Sequence, residues 1–105
     1  MIFDLRIYTL KVGKLNAWLA MYEKHAFPIQ VKYLGKPIAF TTTEVGPLNQ
    51  VIHLWGYASQ AEREEKRGAM EKDPEWTAFR KMSAEASYMD HQENRILKSV
   101  PFSPL

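Results

Sequence analysis

The chain contains no cysteine, which removes disulfides, thiolate nucleophiles and cysteine-ligated metals from consideration. It also lacks a long apolar run. The N-terminus opens directly on Ile2-Phe3-Asp4-Leu5-Arg6, whose charges interrupt anything resembling a signal peptide or a membrane span, so no membrane association and a cytoplasmic location are the expectations. Clustered positive charge is missing too, because Lys and Arg sit beside acids, as in Glu62-Arg63-Glu64-Glu65-Lys66-Arg67, and the net charge is only +2. Nucleic acid is therefore not an expected partner. Only three histidines are present, His25, His53 and His91, at separations that match no compact zinc pattern and in no motif that demands haem. No metal and no cofactor is expected.

At 105 residues, 46% apolar and 25% charged, the composition is that of one soluble globular domain spanning residues 1–105. A domain of this size buries a modest core and gains from oligomerisation.

Two segments alternate with period two. In Ile2 to Leu10, Phe3, Leu5 and Ile7 share one face while Asp4, Arg6 and Tyr8 share the other. In Gly46 to Tyr57, Ile52 and Leu54 oppose Asn49, Val51, His53, Trp55 and Tyr57. Both read as strands with one apolar and one aromatic-polar face. Between them, Leu15, Trp18, Leu19, Tyr22, Ala26, Ile29 and Tyr33 recur at helical spacing, with Pro28 set to kink or split the helix and Gly35 to end it. Ile38 to Val45 reads as a further strand.

Ser59-Gln60-Ala61-Glu62 has the spacing of a capping box, and the largely charged helix that follows reads as a solvated face over 62–72. Asp73-Pro74 starts another helical pattern carrying Trp76, Phe79, Met82 and Ala86. Arg95-Ile96-Leu97-Lys98 suggests a last strand. The order strand, helix, strand, strand, helix, strand predicts an α+β, ferredoxin-like βαββαβ fold with a four-stranded antiparallel sheet, its first and third strands central. The apolar row Phe3, Leu5, Ile7, Ile52 and Leu54 is then expected under the helices, leaving Arg6, Tyr8, His53, Trp55 and Tyr57 on an open face that something must cover.

Tyr8-Thr9-Leu10-Lys11-Val12-Gly13-Lys14, the long run Thr42 to Trp55, Glu93-Asn94-Arg95-Ile96-Leu97 and the tail Pro101-Phe102-Ser103-Pro104-Leu105 together resemble the NIPSNAP family over nearly the full length. The resemblance implies a dimeric α/β barrel, in which two ferredoxin-like subunits pair sheet against sheet as a homodimer around an internal cavity. Superfamily relatives so implied include cofactor-independent monooxygenases, isomerases, cyclases and haem enzymes, and fold does not choose among them.

Within that frame His53 is the candidate general base and Arg6 the group that steadies an anion, while Tyr8, Asn49, Trp55 and Tyr57 are candidate contacts to a small, partly apolar ligand. Each has a structural alternative: a hydrogen-bonded core histidine, an ion-paired arginine, interface aromatics, and an asparagine satisfying loop backbone. A non-catalytic scaffold that meets a protein partner is the competing function, and whether any reaction occurs is left open. Aromatics on two central strands also suit single-stranded RNA, but the third strand lacks the basic-glycine-aromatic pattern of an RNA-recognition domain.

Overall fold

The computed structural model describes all 105 residues. Strand β1 (Ile2–Leu10) leads through a turn at Gly13, whose φ of 84° suits glycine, into α1 (Leu15–His25) and α2 (Phe27–Leu34). The expected break falls at Ala26. Pro28 sits in the first turn of α2, where its missing N–H would have had no intrahelical partner anyway, and Gly35 closes the helix at φ 80°.

Strand β2 (Ala39–Thr42) is shorter than the expected Ile38 to Val45, because the chain bends from Glu44 to Asn49 before entering β3 (Gln50–Tyr57). Helix α3 (Gln60–Glu71) is capped by Ser59, whose hydroxyl accepts the Glu62 N–H at 3.1 Å, while the Glu62 carboxylate returns to the Ala58 N–H. Helix α4 (Pro74–Ala86) is capped by Asp73, which accepts the Glu75 N–H at 2.8 Å and the Tyr33 hydroxyl at 2.7 Å, tying α2 to the start of α4. Strand β4 (Met89–Lys98) is longer than its apolar centre suggested.

The sheet is antiparallel in the order β2-β3-β1-β4, so the two patterned strands are central and the fold is ferredoxin-like α+β. The shortest dimension of the molecule, 18 Å, fits one sheet under one layer of helices. No helix is long and apolar enough to cross a membrane.

The faces of the sheet are reversed from the expectation. Directly opposed residues share a face, and the register pairs Asp4 with Trp55, Arg6 with His53 and Tyr8 with Val51. These, with Tyr57, lie beneath the helices, where Val51, Trp55 and Tyr57 join Trp18, Tyr22, Ile29, Met70 and Phe79 in one buried cluster. The row Phe3, Leu5, Ile7, Ile52 and Leu54 is the one turned away from the helices; Phe3, near its end, is buried, and the other four are left on the open face. Its pairs Leu5–Leu54 and Ile7–Ile52 are half-buried with no second layer over them.

A carboxylate makes this orientation possible. Asp4 is fully buried, and its Oδ2 accepts hydrogen bonds from Arg6 Nη1 at 3.1 Å and from Arg63 Nε and Nη2 at 3.1 and 3.0 Å, while Asn94 donates to Oδ1 at 3.4 Å. Burial pushes its pKa up, and the guanidiniums of Arg6 and Arg63, with the Asn94 amide, more than reverse that and hold it below 3.8. Helix α3 is accordingly not a solvated face throughout. Arg63, Arg67 and Met70 follow one another at spacings of four and three and point toward the sheet, with the remaining charges outside.

Removing one partner of a buried charge cluster leaves the others uncompensated, at a cost of about 3–5 kcal/mol. Asp4→Asn is expected to lose stability on that scale in urea unfolding. Asn94→Ala, which removes only the longest contact, should lose under about 1 kcal/mol. Equal losses in the two variants would contradict a charge-centred cluster.

Candidate functional site

The helices cover β3 and β1 and reach Phe40 of β2, but stop short of β4, which is exposed from Asp90 to Lys98. That offset opens a cleft of about 620 Å³ between the sheet, α1, the end of α3 and α4. Arg6 and Tyr8 on β1 form part of its floor, and Trp18, Tyr22, Trp76 and Phe79 from the helices form aromatic walls.

The floor is a chain of fixed side chains. Asp4 holds Arg6, and Arg6 Nε donates to the Tyr8 hydroxyl at 3.0 Å. Tyr8 in turn meets Trp18 edge-on with ring centroids 5.7 Å apart. Neither hydrogen bond of Arg6 uses Nη2. Burial opposes the charge on Arg6, but Tyr8 and Asp4 outweigh it and hold the guanidinium protonated. On the wall, Trp18 and Tyr22 stack at 4.6 Å, and Tyr22 donates its hydroxyl to the buried Gln30. Burial raises the Tyr22 pKa, so this phenol stays neutral.

His53 lies behind the floor and not in the cleft. It is completely buried, stacked on Phe40 at 4.4 Å with Tyr8 edge-on at 4.8 Å. The Trp55 indole N–H, which can only donate, reaches His53 Nδ1 at 2.7 Å. The proton of the neutral ring is therefore on Nε2, which has no partner. Burial first, then the positive charge of Arg6, lowers the His53 pKa to about 3. A general base needs a free lone pair within reach of substrate, and this histidine has its lone pair occupied and no access. The geometry is that of the core histidine.

Trp55 and Tyr57 are likewise buried under the helices and line no cleft. Asn49 is a bend residue with φ 63°, and its carbonyl accepts the Leu10 N–H at 2.8 Å, the loop role offered as its alternative. Of the sequence-derived candidates, the cleft brings together Arg6 and Tyr8 only. Sequence reasoning missed Arg67 and treated Trp18, Trp76 and Phe79 as plain core. The pattern Arg63-x-x-x-Arg67-x-x-Met70 was the available signal for an arginine turned inward. No group of histidines and carboxylates is placed to hold a metal.

The neutral, sealed histidine sets a pH dependence. The unfolded chain binds a proton at His53 near pH 6.5 and the folded one only near 3, so stability falls as pH drops below 6.5. At pH 5 the loss is about 2 kcal/mol. Asp4, whose pKa is lowered from 3.8, works in a lower window: its contribution is present above about pH 4 and lost as pH falls through its folded value. His53→Gln, which keeps an acceptor for Trp55, is expected to flatten the decline in thermal stability between pH 7 and 5. An unchanged slope in this variant would refute the assignment.

A protein-family model described as NIPSNAP matches residues 3–104. Protein NipSnap homolog 3A of Homo sapiens is 32% identical over 104 residues, covering 98% of this chain and 41% of the human protein; the chain thus spans about two fifths of that relative. Among solved structures, a NIPSNAP family protein from Agrobacterium tumefaciens is 40% identical, with a TM-score of 0.89 over 99% of this chain and 97% of that one. A putative antibiotic biosynthesis monooxygenase from Nitrosomonas europaea, 11% identical, has a TM-score of 0.67 over 95% of this chain and 99% of that one, a likeness of fold alone. With a match over almost every residue and the same arrangement of sheet and helices in its relatives, the chain belongs to the NIPSNAP family.

Proposed function

We propose that two copies of this chain pair through their open sheet faces, and that each binds a small, partly apolar organic molecule in its own helix-side cleft. The observation that carries the binding reading is the cleft itself. Its volume of about 620 Å³ falls within the roughly 300–1,000 Å³ of small-molecule sites, and aromatic walls around a few convergent polar groups are the usual composition of such sites. Its floor is set before any ligand arrives, since Asp4 fixes Arg6 and Arg6 fixes Tyr8, which lowers the entropy lost on binding.

The pairing reading rests on the open face. An antiparallel sheet leaves one face to water only when that face is polar, and Leu5, Ile7, Ile52 and Leu54 are not. The internal cavity therefore moves from between the subunits to within each one. A reaction of the oxygenase or isomerase kind would find no proton acceptor in His53, so binding is the function proposed.

Ile52→Lys is expected to convert a dimer into a monomer in light scattering at micromolar concentration while leaving the helical circular dichroism intact. A wild-type monomer under the same conditions would end the pairing proposal. For the cleft, a mixture of small aromatic compounds is expected to shift the indole N–H resonances of Trp18 and Trp76. Ala84→Trp, at the cleft wall, should abolish those shifts without altering the oligomeric state. Shifts that persist in this variant would place binding elsewhere.

A further inference from the structure

We infer that the ligand of the cleft is a planar aromatic oxyanion of carboxylate size, with Arg67 as the residue that recognises its charge; the inference rests on the cleft reading above. The cleft has donors that no acceptor of the chain meets. Trp76 is 7% exposed, lines the cleft, and its indole N–H has no partner. An indole nitrogen only donates, and leaving such a donor buried and unmet is unfavourable. Arg67, half-buried on the same lining, has the Tyr57 hydroxyl as a neutral neighbour but no carboxylate to pair with, although every other arginine that turns toward the sheet is held by Asp4.

The charges around the cleft do not cancel this surplus. Asp4 is one carboxylate between the two guanidiniums of Arg6 and Arg63, which leaves positive charge over. Arg80 and Glu71 neutralise each other at 3.1 Å. Asp90, at the exposed start of β4, is the one remaining acid on the lining. A guanidinium presents a planar fork that meets two oxygens of a carboxylate at once, and the flat walls of Trp18 and Trp76 call for a ring. A ligand with an aromatic ring and one oxyanion supplies the missing acceptor to both Arg67 and Trp76.

Matched pairs of probes test this: benzoate against benzamide, 1-naphthoate against 1-naphthamide, with phenyl phosphate to separate carboxylate from phosphate. Binding is read by tryptophan fluorescence and by the indole N–H resonances. Wild type is expected to prefer the acids over the amides by about tenfold or more, the scale of one good ionic hydrogen-bonded contact. Arg67→Gln should remove that preference by weakening the acids far more than the amides, and Arg67→Lys should restore part of it. Trp76→Phe, which keeps a ring but not the N–H, should weaken the acids more than the amides.

Equal affinity for acids and amides in wild type would overturn the oxyanion assignment and leave the cleft standing. A preference that survives Arg67→Gln would overturn the role of Arg67. Tighter binding of phenyl phosphate than of either carboxylate would overturn carboxylate size. If neither acids nor amides bind at millimolar concentration, the cleft reading fails and this inference with it.

Discussion

The orientation of the whole sheet depends on one buried carboxylate. Asp4 lies on the second central strand, under the helices, where an unpaired ionised acid would not survive desolvation. It is sustained by Arg6 two residues along the same strand, by Arg63 from α3 and by Asn94 from β4. Three separate parts of the chain therefore converge on one side chain. Helix α3 is docked against β1 by a charge pair, and the edge strand β4 is joined to it by an amide. The same carboxylate fixes the Arg6 guanidinium, which fixes the Tyr8 hydroxyl, so the fold and the floor of the cleft are parts of one network.

The elements of the fold were legible in the sequence because each has a local cause. Pro28 and Gly35 divide and end the first helical segment; Ser59 with Glu62 and Asp73 with Pro74 start the later ones. The period of two in Ile2 to Leu10 and in the segment ending at Tyr57 marks the strands that prove central. What local pattern does not contain is the choice of face. A strand with apolar residues on one side and Asp, Arg, His and aromatics on the other looks as though its apolar side belongs in the core, and that inference fails here for a long-range reason. The acid is neutralised by an arginine 59 residues away, and the histidine is uncharged because Trp55 and its surroundings hold it so.

The candidate site was legible to the same partial extent. Arg6 and Tyr8 stood out by their shared strand face, and that face is the one that meets the cleft. His53 stood out for the same reason, but a strand face does not reveal depth: the register puts His53 one strand further from β4 than Arg6, beneath Phe40 and Tyr22. Arg67 was hidden among charged neighbours, since composition makes Glu62 to Lys72 look uniformly solvated and only the spacing to Arg63 and Met70 separates its inner edge. Trp76 read as core, correctly, yet a core tryptophan with an unmet N–H differs from one whose nitrogen is paired, and that difference exists only in three dimensions.

The two faces of the sheet divide the labour suggested for the chain. Leu5 and Arg6 are adjacent on β1 and point to opposite sides, as do Ile52 and His53 on β3. Pairing through the apolar side leaves each cleft complete within a single chain, with no residue borrowed from a second copy. Any influence of pairing on the cleft must then pass through the backbone of β1 and β3, because a shift of one strand that repacks Leu5 against a partner also moves Arg6. The Asp4 cluster resists such a shift, because the carboxylate that holds Arg6 on the same strand is itself held by Arg63 from the helix above and by Asn94 from the strand beside it. A sheet clamped in this way is suited to keeping two clefts independent, so under the proposed pairing and binding the two sites would act without cooperativity.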